Sequence, residues 1–162
     1  MATNCRSENV EKIKVYFIKV EETYKGIKHG RIKPTFSELL SNFCQIIGNN
    51  EIAMDFKHFK FIASKETYSF LIEHINLIIQ TILTSCEHTI LHINLKSLSI
   101  SDIDKHQLFI KNLSESKNFV ENISYCNVYN SGFVFSSLLT SIFMFLNIET
   151  RKEIKNKLHI IS

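Results

Sequence analysis

Proline and glycine are scarce in this chain. One proline and four glycines among 162 residues leave little punctuation for a loop-rich all-β fold or a flexible linker, and favour helices mixed with a few strands. Long apolar runs are missing as well. The two greasiest stretches, 70–83 and 133–146, are interrupted by Glu73, His74, Asn76 and Gln80 or are too short, so neither reaches the length of a membrane span. The opening MATNCRSENV has no apolar core of a signal peptide. Cys5, Cys44, Cys86 and Cys126 lie far apart without a CxxC pair, which points to reduced thiols in a cytoplasmic, reducing compartment. Charge of one sign is also lacking. The formal balance of +3 comes from 19 basic and 16 acidic side chains, too slight to steer nucleic acid unless gathered on one face. The one basic cluster, Arg151, Lys152, Lys155 and Lys157, is interleaved with Glu149 and Glu153 and reads as a solvated helix surface, so no nucleic acid partner is expected.

The signatures of common chemistries are absent too. There is no GxGxxG or GxxxxGK[ST] loop to bring backbone amides against phosphate, and no GxSxG turn to expose a serine nucleophile. Cys86, His88 and His92 carry metal-ligand side chains, but a strand would set the two histidines more than about ten Å apart along its axis. No metal and no cofactor is expected. No cysteine has a base identifiable from sequence; Cys44 and Cys86 sit on or near apolar stripes and read as buried structural thiols. Asp102 and Asp104 follow Ser101 and read as first-turn helix acids favoured by the helix dipole, not as an acid/base pair. The chain is therefore expected to be non-enzymatic.

What is present fits one compact domain over residues 1–162, with 44% hydrophobic and 22% charged residues. Val10, Ile13, Phe17, Val20 and Tyr24 recur at helical spacing, while Ile13, Val15 and Phe17 also alternate; helix is the preferred reading. Thr35 and Glu38 form a capping-box pattern before a helix whose face, Phe36, Leu39, Leu40, Phe43, Ile46 and Ile47, ends at Gly48. Residues 52–62 read as a strand or two strand pieces. A long helix follows from Ser64, its stripe running from Tyr68 to Cys86. Residues 89–95 alternate as a strand, and Ser101 opens a helix through Leu108, Phe109 and Leu113. A polar link leads to a strand at 124–130. A strongly apolar helix lies beyond Gly132, a charged helix over 149–157, and a closing segment LHII. Strands alternating with helices imply an α/β fold with a small, mostly parallel sheet and helices packed on it.

Four landmarks at compatible spacing then carry a family resemblance. Asn94-Leu95-Lys96-Ser97-Leu98-Ser99 looks like an Asp-Leu-Lys-Gly-Leu-Ser pattern, and Asn118-Phe119-Val120 like Asn-Tyr-Pro. Asn130-Ser131-Gly132-Phe133-Val134-Phe135 looks like Asn-Ala-Pro-x-x-Phe. The segment from Phe145 to Ile154 looks like Phe-Leu-Asp-Pro-x-Thr-x-x-Lys-Ile. In this order they resemble the CRAL-TRIO lipid-binding domain over about residues 90–161, extendable to 52–86. The chain departs from the family at Asn94, Ser97, Phe119, Val120, Gly132 and Ile148, as a reduced or divergent member would. The resemblance implies a hydrophobic ligand, lipid or otherwise, held between the sheet and a gate helix at 133–146. It also implies transient peripheral membrane contact. The pocket residues would be Phe133, Phe135, Leu138, Leu139, Ile142 and Phe145, although the same side chains would serve equally in a plain core helix. The alternative is a protein-interaction module that keeps the fold without a pocket, CRAL-TRIO-like or STAS-like, the latter with Ser101 as its phosphorylatable serine.

Overall fold

The structure, a computed structural model, describes residues 2–132, 135–144 and 146–161, and their side chains except at 2–9, 117 and 118. It is a mixed α/β fold on a five-stranded, mostly parallel sheet. The strands are β1 (Cys44–Ile47), β2 (Glu51–Asp55), β3 (Thr89–Asn94), β4 (Ile123–Tyr129) and β5 (Leu158–Ile161), in that spatial order. β1 runs antiparallel to β2 through a tight turn that Gly48 enters at φ +79°, a conformation glycine adopts without steric cost. β2 to β5 are parallel. The described helices are α1 (Ala2–Lys28), α2 (Phe36–Phe43), α3 (Phe56–Ile62), α4 (Tyr68–Leu83), α5 (Ile100–Lys105), α6 (Gln107–Glu115), α7 (Lys117–Asn122), α8 (Phe135–Phe143) and α9 (Ile148–Lys157).

The alternation of strand side chains sorts the sheet into two unlike faces. Ile52, Met54, Leu91, Ile93, Cys126, Val128 and Leu158 share one; Glu51, Asp55, His92, Asn94, Asn127 and Tyr129 share the other. Each parallel crossover steps to the next strand, so crossovers of one hand gather their helices on one side. That side is the apolar face, where Leu71, Ile75 and Ile79 of α4 pack with Ile52, Leu91 and Phe109. On the polar face lies α1, whose Ile13 and Phe17 meet Ala53 and Tyr129.

Several sequence expectations are corrected. The helix over 36–47 stops at Phe43, because Cys44 turns extended and residues 44–47 pair with β2. Thr35 does cap it, its hydroxyl accepting from the Glu38 N–H at 3.2 Å. The stretch 52–62 is half strand and half helix. Asp55 ends β2, and its carboxylate accepts from the N–H groups of Lys57 and His58, capping α3. The long helix starts at Tyr68, after a local turn in which the Ser64 N–H donates to Thr67 Oγ1. The next helix is capped by Ser99, in a full box with Asp102, and breaks into α5 and α6 at His106. The polar link before β4 contains α7.

Candidate functional site

Beneath α8 the apolar face of the sheet does not close against its covering helix. α8 packs on α5, and a cavity of about 180 Å³ is left between it and the strands. Leu91, Ile93, Cys126 and Val128 form the floor, successive inward positions of β3 and β4. Phe135, Leu139 and Ile142 form the roof, spaced as one helix face requires. Phe59 from α3, Ile103 from α5 and Phe109 from α6 supply side walls.

Of the side chains anticipated from sequence, Phe135, Leu139 and Ile142 meet in this wall. Leu138 is fully buried but does not line the cavity. Phe133 and Phe145 lie outside the described residues. The α3, α5 and α6 walls were missed. Phe56, Phe59 and Ile62 recur every third residue, a helical signal hidden in a run of aromatics that also suits a strand.

Five polar residues border the cavity, and each has a hydrogen-bond partner within the protein. Lys60 Nζ donates to Ser97 O at 2.9 Å and pairs with Asp102 at 2.8 Å. The same Asp102 oxygen accepts from the N–H and hydroxyl of Ser99, both at 2.9 Å. The Tyr68 hydroxyl and His106 Nδ1 share a hydrogen bond of 2.6 Å. Burial, followed by the charge of Lys105, holds His106 below the usual imidazole range, so the ring stays neutral. Ser114 Oγ donates to Lys111 O, and Lys157 Nζ to Val120 O. The wall turned to the void is thus apolar. Such an apolar space favours an apolar group over water. Burial pushes the Cys126 thiol up to about 12, so it faces the cavity as a thiol and not as a nucleophilic thiolate.

No family model, curated protein or solved structure matches this chain.

The opposite face of the sheet holds a polar layer. His92 bridges Glu51 Oε1 at 2.9 Å and the Tyr129 hydroxyl at 2.8 Å, all three buried. Asn94 donates to Asp55 Oδ2 and accepts from Asn130, each at 2.9 Å. Burial and then Glu51 raise the Tyr129 phenol, which keeps its proton and remains a donor. His92 is thus committed inside the fold, while His88 is exposed and Cys86 Sγ lies near Asn49 O; the three are not brought together. Among the described residues no group of three His, Cys, Asp or Glu is placed to hold a metal ion, and no helix is long and apolar enough to cross a membrane. Asp102 serves as a helix cap and ion-pair partner.

Proposed function

We propose that this domain binds a hydrophobic ligand, without catalysis, in the cavity between α8 and the floor made by β3 and β4. The observation that carries this reading is the state of the wall: it is built mainly from apolar side chains, and each polar neighbour already has a hydrogen-bond partner within the protein. A close-packed core leaves few spaces this large, and an empty one forfeits dispersion contacts that a ligand would restore. The likeness to the CRAL-TRIO domain agrees with it. Two of the landmark segments, those beginning at Asn94 and Asn130, meet through a side-chain hydrogen bond of 2.9 Å. On this reading the chain is a reduced relative in which α8 takes the place of the gate.

Titration with a fluorescent apolar probe tests the proposal. Saturable binding is expected, and Leu139→Trp, which fills the cavity from its roof, should abolish it while the circular dichroism spectrum stays unchanged. Binding that survives Leu139→Trp, or no binding to the parent protein, would remove the reading.

A protein-interaction role is favoured by a different surface. Phe36 and Phe70 pack at a tilt with ring centroids 5.7 Å apart although they are 45% and 50% exposed, and Leu77 on α4 is 65% exposed. Phe70→Ser would remove capture of a partner by ligand-free protein on that reading, and leave the apolar probe bound as before.

A further inference from the structure

The rim of the cavity carries two ammonium groups, and their surroundings differ. Lys60 has a close ionic partner: Asp102 lies 2.8 Å away and is itself clamped by Ser99, so the charge of Lys60 is offset by a fixed carboxylate. Lys157 is held otherwise. Its ammonium donates to the carbonyl of Val120 at 2.6 Å and meets Glu153 at 3.3 Å, one turn back on the same helix. The Glu153 side chain is 41% exposed, and exposed pairs of this spacing are among the weakest ionic contacts in proteins. An ammonium has three N–H donors, so Lys157 can give one to an incoming anion without surrendering the Val120 carbonyl.

Size narrows the ligand further. At about 180 Å³ the cavity is only slightly larger than an engineered apolar cavity of about 150 Å³ that accepts benzene. By that measure it holds a single hydrocarbon segment of roughly seven carbons. Two acyl chains do not fit. Lys157 lines the cavity, and its side chain is 23% exposed, so it links the wall to the surface.

We infer that the ligand is a single-chain anionic amphiphile of the medium-chain carboxylate class, with its tail in the cavity and its carboxylate on Lys157 Nζ. The inference rests on the apolar-ligand reading of the cavity and adds to it the head group and the chain number.

Calorimetric titration of the full chain at neutral pH separates the two. The ligands are straight-chain carboxylates of roughly six to twelve carbons, the matching primary alcohols and a dispersed diacyl phosphatidylcholine. Carboxylates should bind about tenfold more tightly than alcohols of equal length, as a charge-assisted hydrogen bond provides. Affinity should rise with each methylene and level off near roughly eight carbons, with no binding of the diacyl lipid. Lys157→Met, which keeps the stem, should bring carboxylates down to the alcohol affinity and leave the alcohols unchanged. Lys157→Arg and the exposed control Lys152→Met should keep the preference. Equal affinities for the two series, a preference that persists in Lys157→Met, or tight diacyl binding would overturn this inference while the apolar pocket stands. Failure of both single-chain series to bind would overturn the pocket itself.

Discussion

Glu21, near the end of α1, has two ammonium groups on its carboxylate, Lys96 Nζ at 2.7 Å and Lys57 Nζ at 3.0 Å. Hydrogen bonds from Lys96 first, then Lys57, hold its pKa down from 4.5 to about 2. The folded carboxylate resists protonation more than the unfolded one does. Its stabilising contribution is therefore complete above about 4.5 and fades as the pH falls to about 2. Urea denaturation across this range should show parent protein and Glu21→Gln farthest apart above the upper value and alike at the lower one. A gap that is constant with pH would contradict the ion-pair assignment. His106 acts in the same direction at higher pH. Its buried ring refuses a proton that the unfolded chain accepts below 6.5, so stability declines on acidification through that window. Residue chemistry was only partly legible in sequence. The sequence pointed to Ser101 as the start of α5, whereas the cap is Ser99, which is extended and bonds Asp102, and Ser101 lies inside the helix.

Elements were legible where one period dominates and obscure where two overlap. α4 and β3 follow from clean spacing. The 36–47 segment read as one helix because Ile46 and Ile47 continue the stripe of Leu39 and Phe43, yet pairing with Ile52 and Glu51 across the Gly48 turn draws them into β1. Tertiary pairing overrides local propensity when each strand residue also finds a hydrogen-bonded neighbour. α8 offers a direct test of the cavity, because its consecutive leucines differ in environment. Leu138 is 1% exposed and lies outside the void, whereas Leu139 borders it. Leu138→Ala should cost about 3 kcal/mol by urea denaturation, in the range for truncating a packed leucine. Leu139→Ala should cost roughly 1 kcal/mol, since a side chain facing empty space makes fewer contacts to lose. Equal losses would mean that the space under α8 is filled.

Across the whole molecule, the two faces of the sheet are held by different physics. On one, α4 and its neighbours bury a continuous apolar layer. On the other, α1 is anchored by Ile13, Phe17 and Val20 while Val15 and Ile18 point outward at 52% and 60% exposure. The groups beneath α1 include Glu51, His92, Asn94 and Tyr129, which water can solvate if the helix lifts. Hydrogen exchange followed by mass spectrometry should show α1 losing protection before α4, through an opening that leaves the apolar layer intact. Simultaneous exchange of the two helices would show that the faces unfold as one cooperative unit.

Composition, caps and apolar period were enough to determine the mixed α/β class, the strands β3 and β4, and the helix that roofs the cavity, because each depends on residues close together in the chain. The void under α8 and the pairing of Lys60 with Asp102 were decided by tertiary structure alone. A cavity is a mismatch between surfaces contributed by distant segments, and Lys60 is neutralised because the fold brings a distant carboxylate to it. Neither leaves a local pattern in the sequence.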